Sequence, residues 1–184
     1  MILYSPKKVE KPKNILDVPS AWRGLESIIG DILERFDVKR TRALEFGVEY
    51  GYSIVALSNF FEKVIGVDTF EGDEHTFDKN VPDLYDLVKP LMPDNVELIQ
   101  SRYQDYGDPG KYDLIHVDIV HTYEDTFDCG DWAMRHSDLV IFHDTESFPE
   151  VKRAVNNLSK KYNAEFYNYP FNFGLGILWK KSQL

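Results

Sequence analysis

The chain has 184 residues, 43% of them hydrophobic, with twelve Phe, eleven Tyr and three Trp, which suits one folded domain with a sizeable core. A formal charge of −10 argues against a nucleic-acid or anionic-membrane surface, because either needs a basic footprint to neutralise phosphates. The single cysteine, Cys129, excludes an internal disulfide framework and a cysteine-rich zinc site, and no apolar run approaches the roughly 18 residues that span a bilayer. With no signal-peptide pattern at its start, the chain reads as cytoplasmic.

Residues 1–18 carry Lys7, Lys8, Lys11 and Lys13 with Pro6 and Pro12, a composition that resists regular structure and reads as a tail, or as an arm over a site or a neighbouring subunit. Residues 19–184 read as one domain. Pro19 and Ser20 suggest a helix start, and Trp22, Leu25, Ile28, Ile29, Ile32, Leu33 and Phe36 recur at helical spacing. Arg42 to Phe46 is a first buried strand, Tyr52 to Phe61 a helix, and Lys63 to Val67 a second strand ending at Asp68. A polar stretch from Glu71 to Asp94, with a short helix near Asp83 to Leu91, precedes a third strand, Val96 to Gln100. Tyr112 to Val117 is a fourth strand, Tyr123 to Met134 a helix, Leu139 to Phe142 a fifth strand, and Pro149 to Tyr162 a helix opened by its proline. Ala164 to Trp179 reads as two strands about a turn at Pro170 and Asn172. Alternating strands and helices imply an α/β, Rossmann-like, doubly wound and mostly parallel sheet, here ending in an antiparallel edge hairpin.

The loop after the first strand, Glu45-Phe-Gly47-Val-Glu49-Tyr-Gly51, is where an open α/β sheet holds a nucleotide-like ligand. A dinucleotide loop commonly carries three glycines as G-x-G-x-x-G and little negative charge. Here two glycines lie beside Glu45 and Glu49. Carboxylates would repel a pyrophosphate but favour a ligand bearing an ammonium and a sulfonium, which tilts the choice toward S-adenosylmethionine. Asp68 is placed to accept hydrogen bonds from ribose hydroxyls, a feature shared with NAD sites. An NAD-dependent oxidoreductase and a non-catalytic S-adenosylmethionine-binding module therefore remain as alternatives.

Glu45-x-Gly47-x-x-x-Gly51, Val67-Asp68, Ile115-His-Val-Asp118 with His121-Thr-Tyr-Glu124, and Phe142-His-Asp-Thr145 together resemble the class I S-adenosylmethionine-dependent methyltransferases. The resemblance is nearest to the small-molecule, O-methyltransferase-like branch with an I-D-G-D-H-S-Y-E strand end and a later H-D-T. It covers about Leu44 to Trp179 and implies a seven-stranded sheet whose last strand is inserted antiparallel. It further implies that Glu45, Gly47 and Gly51 line the methionine part of the cofactor, with Ser53 near the helix start, and that Asp118 is also among the cofactor-binding residues. Asp68 would hold the ribose, Thr69 and Phe70 would border the adenine, and Ser101, Arg102 and Tyr103 would close its other side.

Asp118 and Asp144 both follow buried strands and should meet at the ligand edge of the sheet. Two carboxylates plus substrate oxygens suffice for a hard cation such as Mg²⁺, and related metal-dependent O-methyltransferases use these strand ends in that way. Here Thr145 follows Asp144 and Val120 replaces the second acid of the branch pattern. His121, three residues past Asp118, stands where related enzymes place a catalytic base, with an adjacent carboxylate to orient its ring. His143 could be a second ligand or base, and His116 lies inside a strand. The expected reaction is methyl transfer to a small-molecule acceptor, at a hydroxyl oxygen, with no nucleic-acid or membrane partner; aromatic-rich surface segments suit a homodimer.

Overall fold

The computed structural model describes residues 1–72, 81–107 and 110–181. Among these residues the sheet has eight strands: β1 (Ile2–Leu3), β2 (Arg42–Phe46), β3 (Lys63–Asp68), β4 (Val96–Gln100), β5 (Leu114–Val117), β6 (Leu139–His143), β7 (Glu165–Tyr169) and β8 (Leu175–Trp179). The spatial order is β1-β7-β8-β6-β5-β2-β3-β4. Among the described residues only β8 runs antiparallel to its neighbours, inserted between β6 and β7. The helices are α1 (Ile29–Arg35), α2 (Tyr52–Ser58), α3 (Leu84–Val88), α4 (Tyr123–His136) and α5 (Pro149–Tyr162).

Two apolar layers sandwich the sheet. Because successive strand residues point to opposite faces, Ala43 and Val64 join α1 and α2 in one layer, while Leu44, Phe46, Ile65 and Val67 join α4 and α5 in the other. Burial on both faces explains why the central strands are continuous apolar runs in the sequence. The same alternation places Glu45 on the α1 and α2 face, opposite His116 in the β2–β5 register, with both side chains fully buried.

The eighth strand corrects the expected seven and comes from the amino-terminal segment. Ile2 and Leu3 pair with Tyr167 and Asn168 of β7. Tyr4 is buried and its hydroxyl donates to Asp31 Oδ2 at 2.5 Å; Asp31 Oδ1 accepts the backbone N–H groups of Lys7 and Lys8, both at 2.9 Å. The segment is thus an arm held by one buried carboxylate rather than a loose tail. The helix expected from Pro19 begins later. Gly24, at φ 103°, breaks the run, a 3-10 turn covers Leu25–Ile28, and α1 follows. Strands β2 and β4, helix α5 and the β7–β8 hairpin fall where the sequence puts them; α2 ends three residues early and α4 two late. Residues 73–80 of the polar stretch lie outside the described residues.

The carboxyl ends of β2, β3 and β5 open onto one edge, and the loops that leave them are pinned there. Gly47 has φ 86°, and a Cβ on it would lie 1.6 Å from the carbonyl oxygen of Asp118. Only glycine lets the loop after β2 pass so close to the loop after β5.

Candidate active site

At this edge a cavity of about 390 Å³ is walled by the loop after β2 (Gly47, Val48, Glu49, Tyr50), by Asp68 and Thr69 after β3, by Ser101–Gln104 after β4, and by Asp118–His121 after β5. Pro19 and Ser20 of the amino-terminal segment complete it. Asp68 organises one end: its Oδ2 accepts from the backbone N–H of Val48 at 2.6 Å and of Glu49 at 2.9 Å, and its Oδ1 from that of Phe70 at 2.8 Å. The carboxylate therefore fixes the loop as well as facing the cavity. Glu49 is held at φ 49°, a left-handed conformation uncommon outside glycine, which places a second acid on the same wall.

Of the residues read as cofactor-binding, Gly47, Ser53, Asp68, Thr69, Ser101, Arg102, Tyr103 and Asp118 line the cavity. Gly51 begins α2 at φ 86°, with Val88 and Met92 packed over its Cα. Phe70 is buried against Tyr85, and Glu45 stands behind the wall. Glu45 reaches the cavity only through Ser53, whose hydroxyl donates to its Oε1 at 2.6 Å, while its Oε2 lies 3.2 Å from His116 Nδ1. Burial pushes the Glu45 carboxyl above its ordinary value, against the opposing pull of His116 and Ser53. Pro19, Ser20, Tyr50, Tyr52 and Gln104 also line the space. They were not legible from strand-end motifs, since whether the first residue of α2, a 3-10 turn or the chain at Pro19 and Ser20 faces the cavity is decided by the tertiary fold.

Asp118 and His121 of the cavity wall belong to a cluster of two acids and two imidazoles completed from behind by His143 and Asp144. His121 Nε2 lies 2.9 Å from Asp144 Oδ2 and 3.9 Å from Asp118 Oδ1, and its ring stacks on Phe148 at 4.0 Å between centroids. Thr122 caps α4 through the backbone N–H of Asp125, which fixes the loop carrying His121. His143, which the strand alternation allows to point away, instead turns inward: its Nδ1 is 3.2 Å from both Asp118 Oδ2 and Asp144 Oδ2. Asp144 adopts φ 62°, a left-handed turn immediately after β6 that swings its carboxylate back toward His121. Asn168 braces this turn, accepting from Thr145 Oγ1 and donating to Glu146 Oε1, both at 2.6 Å.

His143 Nε2 lies 3.2 Å from the carbonyl oxygen of Asn172. A carbonyl only accepts, so Nε2 carries hydrogen. Burial alone would make the ring less basic, but the Asp118 and Asp144 carboxylates outweigh it and lift its pKa to about 10. The imidazolium in turn holds Asp118 below the usual carboxylate range against its own burial, and His121 and His143 do the same for Asp144. Asp118, His143 and Asp144 also offer one ligand atom each within 4.8 Å of one another, and such a set fits a divalent cation.

A family model described as a methyltransferase domain matches residues 44–145, more than half of the chain and all four motif-bearing strand ends. The protein belongs to this methyltransferase-domain family. It is a class I S-adenosylmethionine-dependent methyltransferase, an assignment that decides against the NAD alternative. No curated protein matches the chain in sequence. Among solved structures, CalS10 of Micromonospora echinaspora, an amino pentose methyltransferase with bound S-adenosylmethionine, superposes with a TM-score of 0.66 at 10% identity, over 88% of this chain and 92% of that one. A Staphylococcus aureus protein provisionally assigned as a caffeoyl-CoA O-methyltransferase gives 0.65 at 15% identity, over 91% and 86%. Podospora anserina PaMTH1, with bound S-adenosylhomocysteine, gives 0.59 at 16% identity, over 92% of each chain. At these identities the superpositions establish the fold.

Proposed function

We propose that the protein transfers the methyl group of S-adenosylmethionine to a hydroxyl oxygen of a small molecule, with His121 as the base. The observation that carries this reading is His121, which lines the same cavity as Asp68 and Glu49 and is held from behind by Asp144 at 2.9 Å. The donor's ammonium and sulfonium find negative charge along the loop after β2 and at Asp118, while Asp68 faces its ribose hydroxyls. Thr69, Ser101, Arg102 and Tyr103 border the adenine; Glu45 supports the methionine end from behind Ser53.

The sulfonium is already a good electrophile, so the protein's task is alignment, exclusion of water and removal of one proton. The acceptor oxygen attacks the methyl carbon as the carbon–sulfur bond breaks, and the hydroxyl proton passes to the His121 imidazole. Asp144 accepts a hydrogen bond from His121 Nε2–H, which fixes the ring and stabilises the imidazolium that forms. Phe148, stacked on that ring, holds its plane. Asp118, beside both, repels an anionic acceptor and favours a neutral one. A divalent cation held by Asp118, His143 and Asp144 would polarise the acceptor hydroxyl.

Incubation with S-adenosylmethionine labelled in its methyl group and a panel of neutral catechols, phenols and sugars, together with amines, tests the reading. Label recovered as a methyl ether, lost in His121→Gln, is expected. Label recovered on nitrogen acceptors alone would overturn the choice of oxygen.

A further inference from the structure

The sequence points to Asp118 and Asp144 as ligands for Mg²⁺, an ion that favours an all-oxygen shell and keeps several waters. The fold brings a third donor to that point, and it is a nitrogen. His143 Nδ1 lies 3.2 Å from one oxygen of each carboxylate. Ligands bound at roughly 2.1 Å to a single ion stand about 3.0–3.4 Å apart in octahedral or tetrahedral arrangements, so that spacing suits direct coordination as well as hydrogen bonding.

A second feature, outside the donor set, bears on the same ring. A metal-ligating histidine almost always donates its other N–H to a carbonyl or carboxylate, which fixes the tautomer and aims the ligating nitrogen. His143 does this: Nε2–H donates to the Asn172 carbonyl at 3.2 Å. That carbonyl is itself built in. Asn172 sits at φ 54° in the β7–β8 turn, and its side-chain amide donates to the Arg23 carbonyl at 2.6 Å, so the turn is clamped to the amino-terminal segment. The ring is buried, with 3% exposure, and Phe173 meets it edge-on at 6.4 Å between centroids. Nδ1 is thereby aimed at the gap between the two carboxylates, and an ion entering that gap displaces the Nδ1 proton that otherwise faces them.

From this we propose that Asp118, His143 and Asp144 form a mixed nitrogen–oxygen centre that selects a first-row transition ion, of the Mn²⁺, Co²⁺ or Zn²⁺ kind, over Mg²⁺. Imidazole is a poor ligand for Mg²⁺ and a good one for the later first-row ions, whose affinity for one site rises from Mn²⁺ toward Co²⁺. Asp144 then has a second duty, since the oxygen that binds the ion is the one facing His121 Nε2. The proposal rests on the methyl-transfer reading only for what the ion does, since its binding can be measured without donor or acceptor.

The full-length protein, stripped with EDTA and freed of chelator, is titrated with Co²⁺ by its visible absorption and with Mg²⁺ in competition. Co²⁺ is expected to bind at one site at least about tenfold more tightly than Mg²⁺. His143→Asn is expected to weaken Co²⁺ by about 10–100-fold or more while leaving Mg²⁺ within a few-fold. Should that variant fail to fold, pulsed electron paramagnetic resonance of Mn²⁺ bound to the unaltered protein reports the ligand directly, and coupling to an imidazole nitrogen is expected. Equal affinity for Mg²⁺ and Co²⁺, no nitrogen coupling, or no ion bound at millimolar concentration overturns the proposal. Calorimetry with S-adenosylhomocysteine in the same chelator-treated sample separates this failure from failure of the methyltransferase reading, because the cofactor end of the cavity contains none of the three proposed ligands except Asp118 at its border.

Discussion

At the residue scale, the site depends on where four side chains at the ends of β5 and β6 come to rest. His121 has a carboxylate at 2.9 Å and an aromatic face at 4.0 Å, so its orientation is fixed from two directions. His121→Gln keeps the size and one hydrogen bond but cannot take a proton. It should lower kcat by about 10²–10⁴-fold while leaving S-adenosylhomocysteine affinity unchanged; a comparable loss of affinity would show that the residue serves binding instead. Glu45 allows a pH test. Burial holds its proton to a higher pH in the folded chain than in the unfolded one, so folding takes up a proton in the window above the ordinary glutamate value. Stability must fall as pH rises through that window. Glu45→Gln removes the titration and can still bond to Ser53 and His116. Urea unfolding should therefore show the variant gaining on the parent between pH 5 and pH 8, and an equal difference at both values would refute the assignment.

The motifs named Asp68, Asp118, His121 and Asp144 correctly as strand-end residues, because a residue just past a buried parallel strand has only the ligand edge to occupy. Glu45 was harder to place. It lies one position inside β2, where the two-residue alternation turns its side chain under the α1 and α2 layer, and only the β2–β5 register shows that it meets His116 there. The inward turn of His143 was equally hidden, since it depends on the left-handed backbone of Asp144 and on a turn 29 residues further along the chain.

At the element scale, the central strands were legible because burial on both faces leaves an unbroken apolar run, and α5 because its proline and apolar stripe agree. The arm was not, because nothing local stabilises it. It is held by Asp31 from 24 residues away and by the edge of β7, contacts that composition does not reveal. Tyr4→Phe removes one of three hydrogen bonds to Asp31 and should cost about 1 kcal/mol, or about 2–4 °C in unfolding temperature. An unchanged melting curve would mean that the arm contributes nothing to the fold. The loops after β2 and β5 are coupled more tightly still. A methyl group at Gly47 would collide with backbone rather than with a movable side chain, so Gly47→Ala should either prevent folding or yield a folded protein that no longer binds the methyl donor. Normal donor affinity in that variant would show that the two loops separate more easily than their packing implies.

At the scale of the whole molecule, the net charge of −10 and the acidic cavity act in the same direction. S-Adenosylmethionine carries a sulfonium that S-adenosylhomocysteine lacks, so added salt should weaken the donor more than the product as the field is screened. The two apolar layers and the single inserted strand β8 serve to hold one acidic edge rigid while loops of different origin close over it. The measurement that tests this account most directly is calorimetric titration of the purified protein with S-adenosylmethionine, S-adenosylhomocysteine and NADH, repeated on Asp68→Asn. One site for each of the first two, none for NADH, and a loss of at least about tenfold in the variant is the predicted result. Tight NADH binding, or no binding of either sulfur ligand, would contradict it.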